Sequence, residues 1–241
     1  MADGCVEMVF HYRSAFDEIT ANERIEASPL ASIQAQSTRP RRFVTGHSFG
    51  IFGIYLYPFA IPRLFSYPAS DFSNISPDLG SIFGAEAALL DEQMLSAPNN
   101  LRRVGVANDF LLAKLRTSRR ERSTVHRAVH AVIDAKGNIN VANLAREHSL
   151  STRQFERKFK EFAGLPPKLY SRIIRFQAAT QFKLNGERDL TTIAYKSGYY
   201  DQSHFINDFR EFSGYTPKEY FWNDAEGTQY MDTEQMSHFS N

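Results

Sequence analysis

"STRQFERKFKEFAGLPPKLY" runs from Ser151 to Tyr170, and "DQSHFINDFREFSGYTPKEY" runs from Asp201 to Tyr220, fifty residues later. Between Phe155 and Tyr170, eight of sixteen positions recur: Phe155/Phe205, Phe159/Phe209, Glu161/Glu211, Phe162/Phe212, Gly164/Gly214, Pro167/Pro217, Lys168/Lys218 and Tyr170/Tyr220. The charged positions between them change freely, so a framework is duplicated and its decoration is not. On a helical wheel Phe159 and Phe162 lie at i+4 and i+7 from Phe155 and share its face, with Arg153, Arg157 and Lys160 opposite. In the copy Phe205, Phe209 and Phe212 form the stripe, with Ser203, Asn207 and Arg210 opposite. A short helix over "VANLARE" precedes the first copy and one over "LTTIAYKSG" the second, each joined by a tight turn. Two helices so joined, the second with a polar face outward, are a helix-turn-helix, whose second helix can enter a major groove.

The helix boundaries are punctuated. Ser123 caps "STVHRAVHAVIDAKG" and Gly137 stops it; Ser151, Asp189 and Asp201 cap later helices; Thr216-Pro217 opens a final short one. Between the copies, "LPPKLYSRIIRFQAATQFKLNG" predicts one long helix ending at Gly186. At ~1.5 Å per residue its roughly 18 residues span ~27 Å, a little short of the ~34 Å of one duplex turn. Two recognition helices on such a strut would enter successive major grooves, with a somewhat bent duplex or one helix docked incompletely.

The first half is mixed. "CVEMVFHY" alternates, with Val6, Met8, Phe10 and Tyr12 on one face, and predicts a strand; "RRFVTG" and "FGIFGIYLY" predict two more. "PFAIPRLF", "AALLDEQMLS" and "NDFLLAKLRTSRRERS" read as helices, the first two separated by a polar loop through "SYPASDFSNISPDLG". The expected organisation is a mixed α/β domain over 1–113, a basic linker over 114–124, a helical domain over 125–222 and an acidic tail over 223–241. These segments carry −4, +4, +5 and −4 charges, which sum to the +1 of the chain. Positive charge gathered beside the repeat points to a polyanion partner. The longest apolar run, broken by glycines and prolines, falls short of the roughly 20 residues of a membrane span, and "MADGCVEMVF" is not a signal peptide. A single cysteine, Cys5, excludes an internal disulfide framework and fits a reducing cytoplasm.

Residues 125–222 resemble the DNA-binding domain of the AraC/XylS family of bacterial transcription regulators. The likeness is carried by "LAREHSLSTRQFERKFKEFAG", "RFQAA" and "IAYKSGYYDQSHFINDFREFSGYTPKEY". It extends to the extra residue in the second turn, since Ala145 to Ser151 takes six steps and Ala194 to Asp201 seven. The resemblance implies an all-α domain of seven helices, with two helix-turn-helix units joined by a long helix, behind an α+β domain. It also implies binding to promoter DNA that regulates transcription, most often activation, in concert with RNA polymerase. More weakly, "DGCVEMVFHY" and "FGIFGIYLYPFAIPRLF" are similar to a sensor-type N-terminal domain that accompanies such regulators. Family members usually carry further sequence before the first of these segments, so a strand or two of that domain is expected to be missing.

Arg153 and Arg157 are the expected base readers, each able to bond guanine bidentately. Gln154 flanks them as a reader of adenine or a phosphate. Lys158, Lys160, Lys168, Arg172 and Arg175 are expected at phosphates, which position without specifying; Arg175 has the alternative of holding its helix against a unit. The second unit departs from the family pattern: Asn207, not arginine, precedes Phe209 by two residues, and Asp208 follows it. Residues 141–175 carry eight basic and three acidic side chains, and 189–220 three and five. The first unit is thus expected to supply most counterion-release affinity. Gln202, Ser203, His204 and Asn207 would read bases in the second, with Arg210 at a phosphate.

No catalytic residue, metal or cofactor is assigned. His126 and His130 have metal-pair spacing on a helix, without a following glutamate or a third ligand. His11 and His47 with Glu7 would be the nucleus of a DNA-tethered enzyme or metal site in 1–113, a second reading that needs those side chains to converge. A third makes 1–113 an interaction module alone. A small-molecule effector of unknown identity and a homodimer complete the expectations.

Overall fold

The computed structural model describes residues 1–118, 125–183 and 186–222. The N-terminal domain is built around β1 (Val6–His11), which pairs antiparallel with β4 (Ala31–Gln34) on one side and β6 (Ile51–Leu56) on the other. The alternation of β1 decides this placement, because Val6, Met8 and Phe10 all enter one core. A second antiparallel sheet sets β2 (Asp17–Ile19) between β3 (Ile25–Ala27) and β5 (Arg42–Val44). Four helices follow: α1 (Ala60–Phe65), α2 (Leu79–Phe83, capped by Asp78), α3 (Ala85–Ser96) and α4 (Asn100–Thr117). Ile61, Leu79, Leu90, Met94 and Phe110 from these helices close over Met8 and Ile33. Strands β2 to β4 and helix α2 lie where the sequence signalled none.

Helix α4 runs on to Thr117, so Lys114 to Thr117 form its last turn. Residues 119–124 of the basic linker, including the Ser123 cap, lie outside the described residues, as does the acidic tail 223–241.

Seven α-helices make up the described second half: α5 (Val125–Asp134), α6 (Val141–Glu147), α7 (Thr152–Ala163), α8 (Pro167–Thr180), α9 (Leu190–Lys196), α10 (Gln202–Ser213) and α11 (Pro217–Phe221). The caps read from the sequence at Ser151, Asp189, Asp201 and Thr216 all accept backbone N–H bonds. The spacer differs from expectation. Its α-helical part is the 14 residues of α8, about 21 Å long, and a 3₁₀ turn over Gln181–Lys183 follows. Phe182 and Lys183 are thereby turned toward the second unit: Phe182 joins the core, and Lys183 Nζ donates to Tyr220 O at 2.9 Å.

One core runs through both units. Phe155, Phe159, Tyr170, Phe176, Phe205, Phe209, Phe212 and Tyr220 are all buried in it. Helix α8 is shared: Tyr170 meets Phe159 edge-on at 5.7 Å, and Phe176 meets Phe209 at 4.9 Å. The two domains also pack directly. Ala2 lies in the helical core, and the stacked Tyr57–Phe59 pair rests on α5, with Phe59 4.6 Å from the His130 ring.

Two carboxyls near this contact titrate high. Burial pushes Asp3 up to about 6, and burial with the nearby Asp3 charge pushes Glu7 up to about 7. Both folded values exceed the unfolded ones, so the protonated forms favour folding. That contribution is complete below about pH 4 and is lost as pH rises through 6 to 7. Thermal melts should therefore show Glu7→Gln more stable than the unaltered chain at pH 8, with the difference much reduced at pH 5 and gone below about pH 4.

Candidate nucleic-acid interface

Helix α7 begins with a capping box. Ser151 Oγ accepts from Gln154 N at 3.3 Å, and Gln154 Oε1 accepts from Ser151 N at 3.1 Å and from Ser151 Oγ at 2.9 Å. Two orphan N–H groups are satisfied reciprocally, and the Gln154 carbonyl is turned back to the cap. The Phe155, Phe159 and Phe162 stripe is buried, which forces Arg153, Arg157 and Lys160 outward. Arg153, Arg157, Lys158, Lys160 and, at the start of α8, Lys168 are exposed and hold no ion pair among the described residues. With no acidic residue in its first turn, α7 keeps the positive end of its dipole open.

Helix α10 is built alike and charged differently. Its cap is Asp201, whose carboxylate accepts from His204 N at 2.8 Å and lies 2.8 Å from His204 Nδ1. The backbone bond from His204, with the ring beside it, holds the Asp201 carboxyl below its usual range. His204 is thus partnered locally, while Gln202, Ser203, Asn207 and Arg210 are exposed on the outer face.

Arg172 and Arg175 of α8 take part in internal contacts. Arg172 Nε and Nη2 donate to Asp208 Oδ1 at 3.0 and 2.7 Å, and Nη2 also donates to Glu211 Oε2 at 2.5 Å. Its guanidinium lies 5.0 Å over the Phe212 ring. Arg175 Nη2 donates to Gly137 O at 3.0 Å, and its guanidinium lies 5.3 Å from the Tyr199 ring. Arg172 braces α8 against α10, and Arg175 reaches both the turn after α5 and the turn before α10. Asp208, counted from sequence among the acidic side chains of the second unit, is buried and turned inward to Arg172.

Residues 144–222 match the family model of a helix-turn-helix domain, and residues 1–77 match a domain of unknown function. The HTH-type transcriptional activator RhaS of Escherichia coli (strain SE11) is 32% identical over 81 residues, 34% of this chain and 29% of that protein. The same protein from strain K12 / DH10B gives the same figures, so the match spans under a third of these relatives' length. ToxT from Vibrio cholerae O395 shares the fold with a TM-score of 0.51 at 15% identity, over 92% of this chain and 90% of its own. Wild-type ToxT from strain SCE256, solved with an unsaturated fatty acid bound, gives 0.51 at 12% identity, over 92% and 88%. The helical domain belongs to the AraC/XylS family.

In this AraC/XylS domain the sequence reading passed over two side chains. Tyr200, 89% exposed, immediately precedes the α10 cap, and Tyr195, 65% exposed, lies on α9. Nothing in the sequence separates these exposed tyrosines from their neighbour Tyr199, which is buried against Phe205. His126 and His130 approach the aromatic pair of the other domain, at 6.4 and 4.6 Å from the Phe59 ring. Glu7 and His11, four residues apart on β1, are separated by roughly 13 Å of strand, and His47 is exposed in a loop. Among the described residues no three His, Cys, Asp or Glu side chains are placed to hold a metal ion. No helix among them is long and apolar enough to cross a membrane. A groove of about 240 Å³ opens between α3 and α4, lined by Gln93, Pro98, Arg102, Val106 and Asp109 among others.

Removing the brace is expected to expose its cost. Arg172→Ala leaves the Asp208 carboxylate without its partner and should destabilise the domain by about 1–3 kcal/mol. Urea unfolding checks this, and adding Asp208→Asn to the same chain should restore part of the loss.

Proposed function

We propose that the chain is a sequence-specific DNA-binding transcription regulator of the activator kind, acting in the cytoplasm on promoter DNA. The observation that carries this reading is the pair of helix-turn-helix units on one spacer, with outward faces that hold no ion pair among the described residues at Arg153, Arg157, Lys158 and Lys160. Helices α7 and α10 enter successive major grooves. Arg153 and Arg157 read bases, Lys158, Lys160 and Lys168 meet phosphates, and Gln154 contributes through its amide nitrogen. Gln202, Ser203 and Asn207 make the weaker neutral contacts of the second unit, with His204 beside them, Arg210 at a phosphate, and Tyr195 and Tyr200 as added apolar and hydroxyl surface. The likeness to RhaS supports activation, and hence a meeting with RNA polymerase, for this chain.

The unequal charge of the units makes this testable. In a fluorescence-anisotropy titration against a duplex selected for binding, Arg157→Ala should weaken affinity by about 1–3 kcal/mol, the worth of a bidentate base contact. Asn207→Ala should cost much less; equal losses would refute the asymmetry. Removing Lys158 or Lys160 should instead lower the salt slope by about one unit each.

The N-terminal domain serves as an effector or interaction module, and its outer surface supports a homodimer. Leu101 (80% exposed), Val104, Leu112 and Leu115 stand at i, i+3, i+11 and i+14 of α4 and are exposed together. Two such faces would bury one another as a paired-helix seam. Leu101→Glu with Leu112→Glu is expected to shift the chain to monomer in sedimentation-velocity runs while its melting temperature holds.

A further inference from the structure

Helix C-termini leave their last carbonyls without intrahelical partners. At α7 these carbonyls are satisfied by the other domain. Gln36 Nε2 donates to Ala163 O at 2.7 Å, and Ser73 Oγ donates to Gly164 O at 2.7 Å. At α10 the same domain supplies the backbone of Ala2, whose N–H donates to Phe212 O at 2.8 Å. Gly4 ties α8 in between: its O accepts from Tyr170 Oη at 3.1 Å and Gln36 Nε2 at 3.4 Å, and its N–H donates to Gln177 Oε1 at 3.3 Å.

The duplicated glycines belong to this contact. Gly164 (φ +78°) and Gly214 (φ +82°) end the two recognition helices in a backbone conformation that disfavours side chains. A Cβ at Gly164 would overlap Gln36 Oε1 and lie 3.0 Å from Ser73 Oγ; one at Gly214 would lie 3.2 Å from Pro40 Cγ. Gln36 and Pro40 are four residues apart, so one short segment after β4 reaches both helix ends. The outward faces of α7 and α10 take no part in it.

We propose that this segment grips both recognition helices by their C-terminal ends and sets the groove-to-groove spacing the protein accepts, with Gln36 as the positioning residue. The proposal rests on the DNA-binding reading above. Phenylalanine stripes hold a helix down but attract without direction, whereas hydrogen bonds to two successive carbonyls fix its rotation and axial position. Leverage makes that matter. A helix of 12 residues is about 18 Å long, so a tilt of about 10° at its end moves the groove-entering end by about 3 Å, close to the ~3.4 Å rise of one base step. Gln36 is fully buried, so its carboxamide has no solvent alternative to these carbonyls.

The test uses the full chain and a two-box duplex enriched by it from a random library, with one or two base pairs then inserted between the boxes. The unaltered chain should lose about tenfold in affinity per insertion, the scale of a mismatched site. Gln36→Met, similar in length without a donor, and Ser73→Ala should each cut that loss to about threefold, with single-box affinity unchanged. Variants that keep the original spacing profile, or that weaken every duplex alike, overturn the proposal, as does an unaltered chain indifferent to spacing. Should Gln36→Met fail to fold, Ser73→Ala decides on the same profile. Failure to enrich any duplex would instead overturn the DNA-binding reading itself.

Discussion

Burial of three phenylalanines on one stripe of each recognition helix is the constraint from which the helical domain follows. Phe155, Phe159 and Phe162, and then Phe205, Phe209 and Phe212, each bury a side chain worth about 1.5–3 kcal/mol relative to exposure. No exposed contact on these helices approaches that sum, so the stripe alone decides which face looks out. Once it is seated, outward positions such as 157 and 207 take no part in holding their helices among the described residues. Arginine at 157 and asparagine at 207 can therefore occupy equivalent places in the two copies without disturbing either.

Seating two such helices leaves the problem of holding them relative to one another. Helix α8 solves part of it with aromatic contacts on both sides and part with its arginines. The Arg172 clamp also changes the electrostatics of the second unit. Counted along the sequence, that unit is acidic; in space, Asp208 and Glu211 are answered by a guanidinium of the spacer. The acidity left near the α10 entry is Asp201, where the cap requirement and the needs of a phosphate oppose each other. Asp201 satisfies the backbone N–H of His204 and keeps its negative charge, which disfavours close approach of a phosphate at that end.

Periodicity and capping made the helical half legible. A stripe at i, i+4 and i+7 and a cap residue are local signals, and the caps at Ser151, Asp189, Asp201 and Thr216 stand where the sequence put them. Strand β1 was visible by its alternation, and β5 and β6 by their β-branched and aromatic residues. Strands β2, β3 and β4 were not, because three or four residues such as "DEI" and "ASIQ" are too short to establish a period of two and lack the aromatic and β-branched cluster that marks "RRFVTG". Arg172 and Arg175 show the other limit. A basic residue at a helix surface looks the same in sequence whether it meets a phosphate or a carboxylate brought from 36 residues away. The domain contact was hidden altogether, since Gln36 and Ser73 bond to backbone carbonyls, and carbonyls have no sequence signature.

The two units are not held equally, and the difference follows their chemistry. Helix α7 ends in two side-chain donors aimed at adjacent carbonyls, whereas α10 ends in one backbone donor and a proline in van der Waals reach. A phosphate contact tolerates some change of angle, because a lysine ammonium is a point charge on a flexible stem. A bidentate arginine–guanine pair does not, since two parallel bonds must both be met. The helix bearing Arg153 and Arg157 is held at its C-terminal end by side-chain donors of the N-terminal domain, and the helix bearing Ser203 and Asn207 is held along its body by Arg172 of α8. On the DNA-binding reading proposed above, the side-chain donors at the end of α7 place directional restraint on the helix whose bidentate contacts a small rotation would forfeit.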